Sequence, residues 1–423
     1  MKRASKFFVL FFSAALISCS PSFRISKRVQ SFSEKFSHHA GFVLSDPQSG
    51  KTLVNVNGEK YFTPASNTKI LTLLTALTNL GDSIPGLRYK ISGDSLIIAG
   101  TGDPSFLYSG TYSNSLVFEF LKNYPGNIYL TPVKHVASPY GQGWSWDDFD
   151  ADYHPERSAF PVYGNLATLI KKESSEKIIP DVFADQLSGG IPGYPFNRDQ
   201  SANKFYFNSK KDGQVQIPFI TSDALTTRLL SDTLNRQVIL LSAPVKTEKI
   251  IYSIPADSLY KTMMQRSDNL IAEQLLMMVS DKLSDTLDTK PAIRHMLGTV
   301  LPDMPQKPVW VDGSGLSRYN QISPLDLVMI WRRILEIRPK DKIFPLLAAS
   351  GRNGTLYSFN NGSAPFIFGK TGTLSNNYCL SGYLVTEKGR LLIFSSMNAN
   401  FTVSAPKLRD ELQKILTAVY ENY

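Results

Sequence analysis

Pro64-Ala65-Ser66-Asn67-Thr68-Lys69-Ile70-Leu71-Thr72-Leu73-Leu74 decides how the rest of the chain is read. Apolar residues recur at Ile70, Leu71, Leu73, Leu74, Leu77 and Leu80 with helical spacing, and Gly81 closes the run. The pattern predicts a helix that begins near Ser66 and is buried on one broad face. Ser66 and Lys69, three apart, then share a face, so the lysine amine can reach the serine hydroxyl. A hydroxyl needs a base to attack at neutral pH, and a lysine that has lost its proton can serve. At a helix start Ser66 also has free backbone N–H groups and the positive end of the dipole beside it, which suits an oxyanion hole. The plainer role for such a serine is a helix cap.

Ser-x-x-Lys alone says little, since it recurs at Ser174, Ser201, Ser258 and Ser404. Two further motifs follow in order: Ser267-Asp268-Asn269, between two helical patterns, and Lys370-Thr371-Gly372, which occurs once and lies in a strand pattern. Ser267 can relay a proton to a leaving amine, and Asn269 can hold a substrate amide. Lys370 with the Thr371 hydroxyl can grip a terminal carboxylate, and Gly372 lets a substrate backbone lie close along the strand edge. Lys370, if it converges on Lys69, would also lower the Lys69 pKa by crowding one cation with another. The ordered set is the equipment of serine acyl-transferases that bind penicillin.

Around these motifs the chain reads as a mixed sheet with helices on both faces, interrupted by a long insertion. Gly41–Ser45 and Lys51–Val56 look like a strand pair around Asp46-Pro47-Gln48-Ser49-Gly50. From about Pro85 to Val245, short strand-like pieces punctuated by Gly and Pro predict a mostly β insertion, with one helix near Asp223 to Asn235. Helices return at Ala256–Arg266, Leu270–Ser280 and Pro324–Glu336. Three strands follow, Phe366–Thr373, Cys379–Thr386 and Arg390–Met397, before a last helix from Ala405 to Tyr420. The expected division is 1–18 signal peptide, 19–84 and 246–423 the two parts of one domain, and 85–245 the insertion.

The N-terminus reads as a targeting segment. Lys2, Arg3 and Lys6 precede an apolar run, Phe7 to Ile17, that ends in Leu16-Ile17-Ser18-Cys19. This is a secretory signal with a lipoprotein box, which makes Cys19 the lipidated first residue of the mature chain. Ser20 follows with no acidic run after it. That resembles lipoproteins that leave the inner membrane, so the expected place is the periplasm, with the lipid anchor in the outer membrane.

The mature chain of about 400 residues is too long for one ordinary core. The signal cations account for three of the formal net charge of +9, leaving +6. The lysines are scattered, with only pairs at Lys171-Lys172 and Lys210-Lys211, which fits a solvated surface and not nucleic acid. After lipidation Cys379 is the one remaining thiol, so stability must come from packing. Cys379 lies in an apolar strand pattern and reads as a small buried hydrophobe.

Competing motifs fail. Gly369-Lys370-Thr371 resembles part of a phosphate loop, but Ala364 stands where the first glycine is needed. Gly100-Thr101-Gly102 lacks the third glycine of a dinucleotide fingerprint. There is no His-Glu-x-x-His, no paired Cys-x-x-Cys and no Gly-x-Ser-x-Gly. No metal and no cofactor is expected.

The chain resembles class C low-molecular-weight penicillin-binding proteins, the D-Ala-D-Ala carboxypeptidase/endopeptidase family of the penicillin-binding protein 4 type, over nearly the whole mature chain. The three motifs carry the resemblance. Gly100-Thr-Gly-Asp-Pro-Ser105, Gly143-Trp-Ser-Trp-Asp-Asp148, Val311-Asp-Gly-Ser-Gly-Leu-Ser-Arg-Tyr-Asn320 and Ser350-Gly-Arg-Asn-Gly-Thr-Leu356 extend it. The 201 residues from Ser66 to Ser267 match the family's insertion. The resemblance implies an α/β (α+β) transpeptidase/β-lactamase-like domain, its central antiparallel sheet flanked by helices and split by the β-rich insertion.

It implies cleavage of D-amino-acid bonds in peptidoglycan stem peptides, and acylation by β-lactam antibiotics. Carried over, Ser66 forms the acyl-enzyme and Lys69 is its base. Ser267, Asn269, Lys370, Thr371 and Gly372 complete the site, and the N–H groups of Ser66 and Thr373 form the oxyanion hole. It also implies a side-chain pocket in which Asp147 or Asp148 takes the amine, and Arg318 the carboxylate, of a meso-diaminopimelate side chain. Leu374 and Ser375 extend that pocket past the Lys-Thr-Gly strand.

Two other classes share the motifs. A class A β-lactamase needs Glu-x-x-x-Asn after Ser-Asp-Asn, and neither Glu273 nor Glu336 fits. An inactive wall-binding lipoprotein would have lost a catalytic residue, and here every motif is intact.

Overall fold

Alternation along three strands builds the main domain. Phe42, Leu44, Leu380, Leu392 and Phe394 point to one face of a sheet, while Val43, Cys379, Tyr383, Ile393 and Met397 point to the other. Side chains on a strand alternate between faces, so a run that is apolar throughout needs cover on both sides. The computed structural model, which describes residues 20–109, 116–134, 136–173, 175–190, 196–208, 211–359 and 364–423, supplies that cover.

The sheet has six strands in the spatial order Ala348–Ala349, Ile367–Leu374, Asn377–Val385, Leu391–Ala399, His39–Ser45 and Thr52–Val56, all antiparallel. One face packs on helices Thr68–Asn79, Ala256–Arg266, Asn269–Ser284 and Pro324–Ile337. The other is covered by helices Pro21–Lys35 and Ala405–Asn422. The first of these two was not expected. Its buried positions, Ile25, Val29 and Phe32, are sparse among basic residues and serines. Cys379 is fully buried, and burial pushes its thiol up to about 12.

Between the halves of this domain lies a β-rich lobe with its own core. Its largest sheet orders Val238–Leu240, Asn127–Leu130, Ser95–Gly100, Ser83–Ser92 and Lys249–Pro255, with two parallel pairs among them. Two three-stranded sheets and the helices Leu116–Asn123 and Asp223–Leu234 complete it, one helix more than the sequence pattern predicts. The strand Lys249–Pro255 pairs with Ser83–Ser92, so the lobe's sheet takes in residues beyond 245. Cys19 and the signal segment lie outside the described residues.

Candidate active site

Ser66 stands in a one-turn 3-10 segment, Ala65–Asn67, that runs directly into the helix Thr68–Asn79. Ala65 is in the left-handed region with φ 48°, a conformation that a non-glycine residue adopts at some cost. The turn is held from two sides. Asn67 Nδ2 donates to the Lys370 carbonyl at 3.0 Å, and Asn67 Oδ1 accepts from Ser381 Oγ at 2.7 Å. Opposite, Gly315 (φ 84°) is so close that a Cβ there would sit 1.9 Å from the Ala65 carbonyl oxygen. Both its φ and this approach require glycine.

Lys69, one helical turn on, is fully buried, and its amine has three acceptors. They are Ser66 Oγ at 3.0 Å, Asn269 Oδ1 at 2.6 Å and the Ser314 carbonyl at 2.6 Å. Burial pushes Lys69 down to about 8, against the attraction of Asp312, Asp268 and Glu273. The expected crowding by Lys370 is therefore not the cause. The repulsion is felt at Lys370 instead: burial first, then the Lys69 charge, holds it well below an ordinary lysine. Among the described residues, Lys370 has no carboxylate as a hydrogen-bond partner. It donates to Ser267 Oγ at 2.8 Å and to the Thr371 carbonyl at 2.7 Å.

Ser267 closes the helix Ala256–Arg266 in the left-handed conformation, and Asp268 caps the next helix by accepting from Ile271 N at 2.9 Å. Tyr108 of the inserted lobe donates to the other Asp268 oxygen at 2.5 Å. Thr371 Oγ1 meets Thr355 Oγ1 at 2.7 Å, and Thr373 is exposed at the open end of the strand. The three motifs thus converge on one cleft between the main domain and the inserted lobe.

A model of the family described as D-Ala-D-Ala carboxypeptidase 3 (S13) matches residues 24–184 and 218–419. The chain belongs to that family. D-alanyl-D-alanine carboxypeptidase DacB of Haemophilus influenzae is 23% identical over 409 residues, 84% of each chain. The crystal structure of penicillin-binding protein 4 from Haemophilus influenzae superposes with a TM-score of 0.74 at 21% identity, over 93% of this chain and 99% of that one. A predatory endopeptidase from Bdellovibrio bacteriovorus superposes at 0.55 and 16% identity, over 90% and 94%. At those identities the likeness to the solved structures is one of fold. As a member of the S13 family, the chain is a serine DD-peptidase that acts on peptidoglycan.

The remaining expected residues lie beside this cleft. The turn holding Asp147 and Asp148 abuts the loop 317–319: a Cβ on Gly143 would touch the Tyr319 ring at 2.7 Å, and Trp144 Nε1 donates to Asp312 Oδ2 at 2.9 Å. Asp147 accepts from Ser145 Oγ at 2.8 Å. Arg318 is exposed and donates to the Ser375 carbonyl at 3.2 Å, and Leu374 ends the Lys-Thr-Gly strand.

Sequence reasoning missed a second tier. Glu273 Oε1 accepts from Gly313 N at 2.9 Å and Ser314 N at 2.7 Å. Asp312 accepts from Gly315 N, Ser317 N and Asn320 Nδ2. Asn269 Nδ2 donates to the Tyr153 carbonyl at 2.7 Å. A helix spacing of four between Asn269 and Glu273 was the one signal available for the first of these.

Proposed function

We propose that Ser66 is the nucleophile and Lys69 the acylation base of a D-Ala-D-Ala carboxypeptidase or DD-endopeptidase. The observation that carries this is the set of three acceptors around the Lys69 amine. Two of them, Asn269 Oδ1 and the Ser314 carbonyl, can hold the two N–H bonds of the neutral amine. Its lone pair then points at the Ser66 hydroxyl.

The substrate's terminal carboxylate binds Lys370 with the Thr371 hydroxyl nearby. A buried pair of lysines holds one positive charge more readily than two, and the incoming carboxylate favours that charge on Lys370. Lys69 is left as the free amine. It takes the Ser66 proton as Oγ bonds to the carbonyl carbon of the penultimate residue, and the oxyanion forms beside the N–H groups of Ser66 and Thr373. The proton passes through Ser267 to the leaving amine as the C–N bond breaks. Water then hydrolyses the ester. With penicillin the broken amide belongs to the lactam ring, so the amine stays tethered to the acyl group.

The test is labelling by fluorescent penicillin. Ser66→Ala should abolish the label and leave the melting temperature near wild type, and label persisting on that variant would remove Ser66 as nucleophile. Mass spectrometry of muropeptides after incubation should show loss of a terminal D-Ala or scission of cross-links.

The division of the chain follows the same reading, with 19–84 and 246–423 forming one domain around the insertion 85–245; the pairing of Ser83–Ser92 with Lys249–Pro255 supports an insertion whose sheet runs past both ends. Its place is the periplasm, held by lipid on Cys19. Among the described residues no helix is long and apolar enough to cross a membrane. Acyl chains on one cysteine suffice for stable attachment when there is more than one. The cellular protein should carry acyl mass on its N-terminal peptide, and an unmodified N-terminus would refute the anchor.

A further inference from the structure

Two oxygens set the direction of the Lys69 amine, and both are braced by the inserted lobe. Asn269 is held through its amide nitrogen by the Tyr153 carbonyl. The Ser314 carbonyl is held through Glu273, which grips the N–H groups of Gly313 and Ser314 with one oxygen. The other Glu273 oxygen faces Arg157 Nη1 at 3.3 Å. Arg157 belongs to the lobe and is locked there: Nε and Nη2 donate to the Ser138 carbonyl at 3.1 and 2.8 Å, and Nη2 also to the Tyr140 carbonyl at 2.8 Å. Its guanidinium lies over the Trp144 ring, whose indole N–H holds Asp312 in the same loop as Ser314.

We propose that the Arg157–Glu273 pair is a positioning device through which the inserted lobe aims the Ser314 carbonyl at the Lys69 amine. The inference rests on the reading of Lys69 as the base. Side-chain exposures of 6% and 1% put the pair out of water. A buried pair of this kind is weak as a stabiliser against apolar residues of equal volume, so stability alone does not account for it. Its geometry does something a hydrophobic pair cannot: it fixes the N–H groups of the two peptides that lead into Ser314, while Asp312, held by Trp144, takes the Gly315 N–H that shares a peptide plane with the Ser314 carbonyl.

The charges give the device a signature. Lys69 faces the carboxylates of Asp312, Asp268 and Glu273 and the cation of Lys370; Arg157 stands behind Glu273, and Tyr108 and Arg266 stand beside Asp268. Removing the Glu273 charge removes an attraction for protonated Lys69, so the amine is freed at lower pH. With the Gly313 and Ser314 N–H groups still holding Glu273 as the carboxylate, removing Arg157 unmasks its charge and acts in the opposite sense.

The experiment measures the pH profile of acylation by fluorescent penicillin in the full chain. Glu273→Gln should move the acid limb down by roughly half a pH unit or more, and Arg157→Met should move it up. The double variant should return close to wild type. Arg157→Lys keeps the charge but loses the fork, so its midpoint should stay while the rate falls severalfold. Melting curves accompany each variant. Shifts of one sign, no shift in any variant, or an Arg157→Lys enzyme with the full wild-type rate would overturn the proposal. Should Glu273→Gln or Arg157→Met fail to fold, the rate of Arg157→Lys still decides it. Wild-type protein that takes no label, or labelling that survives Lys69→Ala, would instead sink the reading of Lys69 itself.

Discussion

Gly372 lies directly against the turn that carries Ser66: a Cβ on it would sit 2.6 Å from the Pro64 carbonyl oxygen and 3.0 Å from the Asn67 nitrogen. Both are backbone atoms and cannot swing aside. The strand and the turn therefore pack at a separation that only glycine permits, and in the proposed site that separation sets the Thr373 N–H for the oxyanion. Gly372→Ala should push them apart. Overpacking of this kind costs about 1–3 kcal/mol, and displacing one oxyanion donor lowers acylation by roughly 10²–10³. A Gly372→Ala protein that is acylated by penicillin at the wild-type rate would show that the spacing does not matter.

The buried amine predicts a pH dependence. Lys69 must be neutral to accept the Ser66 proton, and burial brings it down to about 8. Below that value the acylation rate should fall about tenfold per pH unit, and above it should level off. A rate that is flat between about pH 6 and 8 would exclude Lys69 as the base. Folding carries the same sign. Between about 8 and the ordinary lysine value the unfolded chain binds the proton and the fold does not, so this group alone makes stability rise with pH across that window.

Release of penicillin should be slow. Glu273, one of the three carboxylates that act on the base, is occupied by two backbone N–H groups and Arg157, and burial raises its pKa. Glu336 is exposed at the end of the helix Pro324–Ile337. Neither is free to activate a water at the ester. A long-lived penicilloyl-enzyme should be visible by intact mass, and rapid multiple turnover of penicillin would favour the β-lactamase reading.

What the sequence made legible is what short-range pattern encodes. The helix after Ser66 follows from the spacing of its leucines, and the three C-terminal strands fall within a few residues of their expected ends, because alternation and turns are local. The contacts that aim Lys69 are not local. Glu273 meets Gly313 and Ser314 forty residues away, and Tyr153 meets Asn269 across the cleft through a backbone carbonyl, which leaves no mark on residue choice. The lobe's parallel strand pairs, and the short edge strand Ala348–Ala349, likewise depend on register between distant segments. The source of the Lys69 shift is hidden from the sequence for the same reason: full burial lowers the pKa even against three carboxylates that raise it, and only the packed structure sums them.

The side-chain pocket gives the sharpest test of substrate choice. A side chain ending in an amine and a carboxylate on one carbon needs one group of each opposite sign. Asp147 and Asp148 sit in a turn fixed by Trp144, which packs on His154 at 4.9 Å and bonds to Asp312. Arg318 sits in the loop that this turn touches and reaches past the strand end to the Ser375 carbonyl, a single long hydrogen bond that a carboxylate can replace. Tyr153 engages Asp148, which leaves Asp147, bonded among the described residues to its own Ser145 alone, as the freer partner for an amine. We therefore expect stem peptides with a free D-amino group at the third residue to be cleaved far faster than those acetylated there. Asp147→Asn should reduce that preference more than Asp148→Asn, and Arg318→Ala should reduce turnover of both peptides, all three without loss of penicillin acylation. One charge-assisted contact is worth about 1.5–3 kcal/mol, or roughly tenfold to a hundredfold in kcat/KM. Equal turnover of the free and acetylated peptides would dispose of the pocket and leave the nucleophile and its base standing.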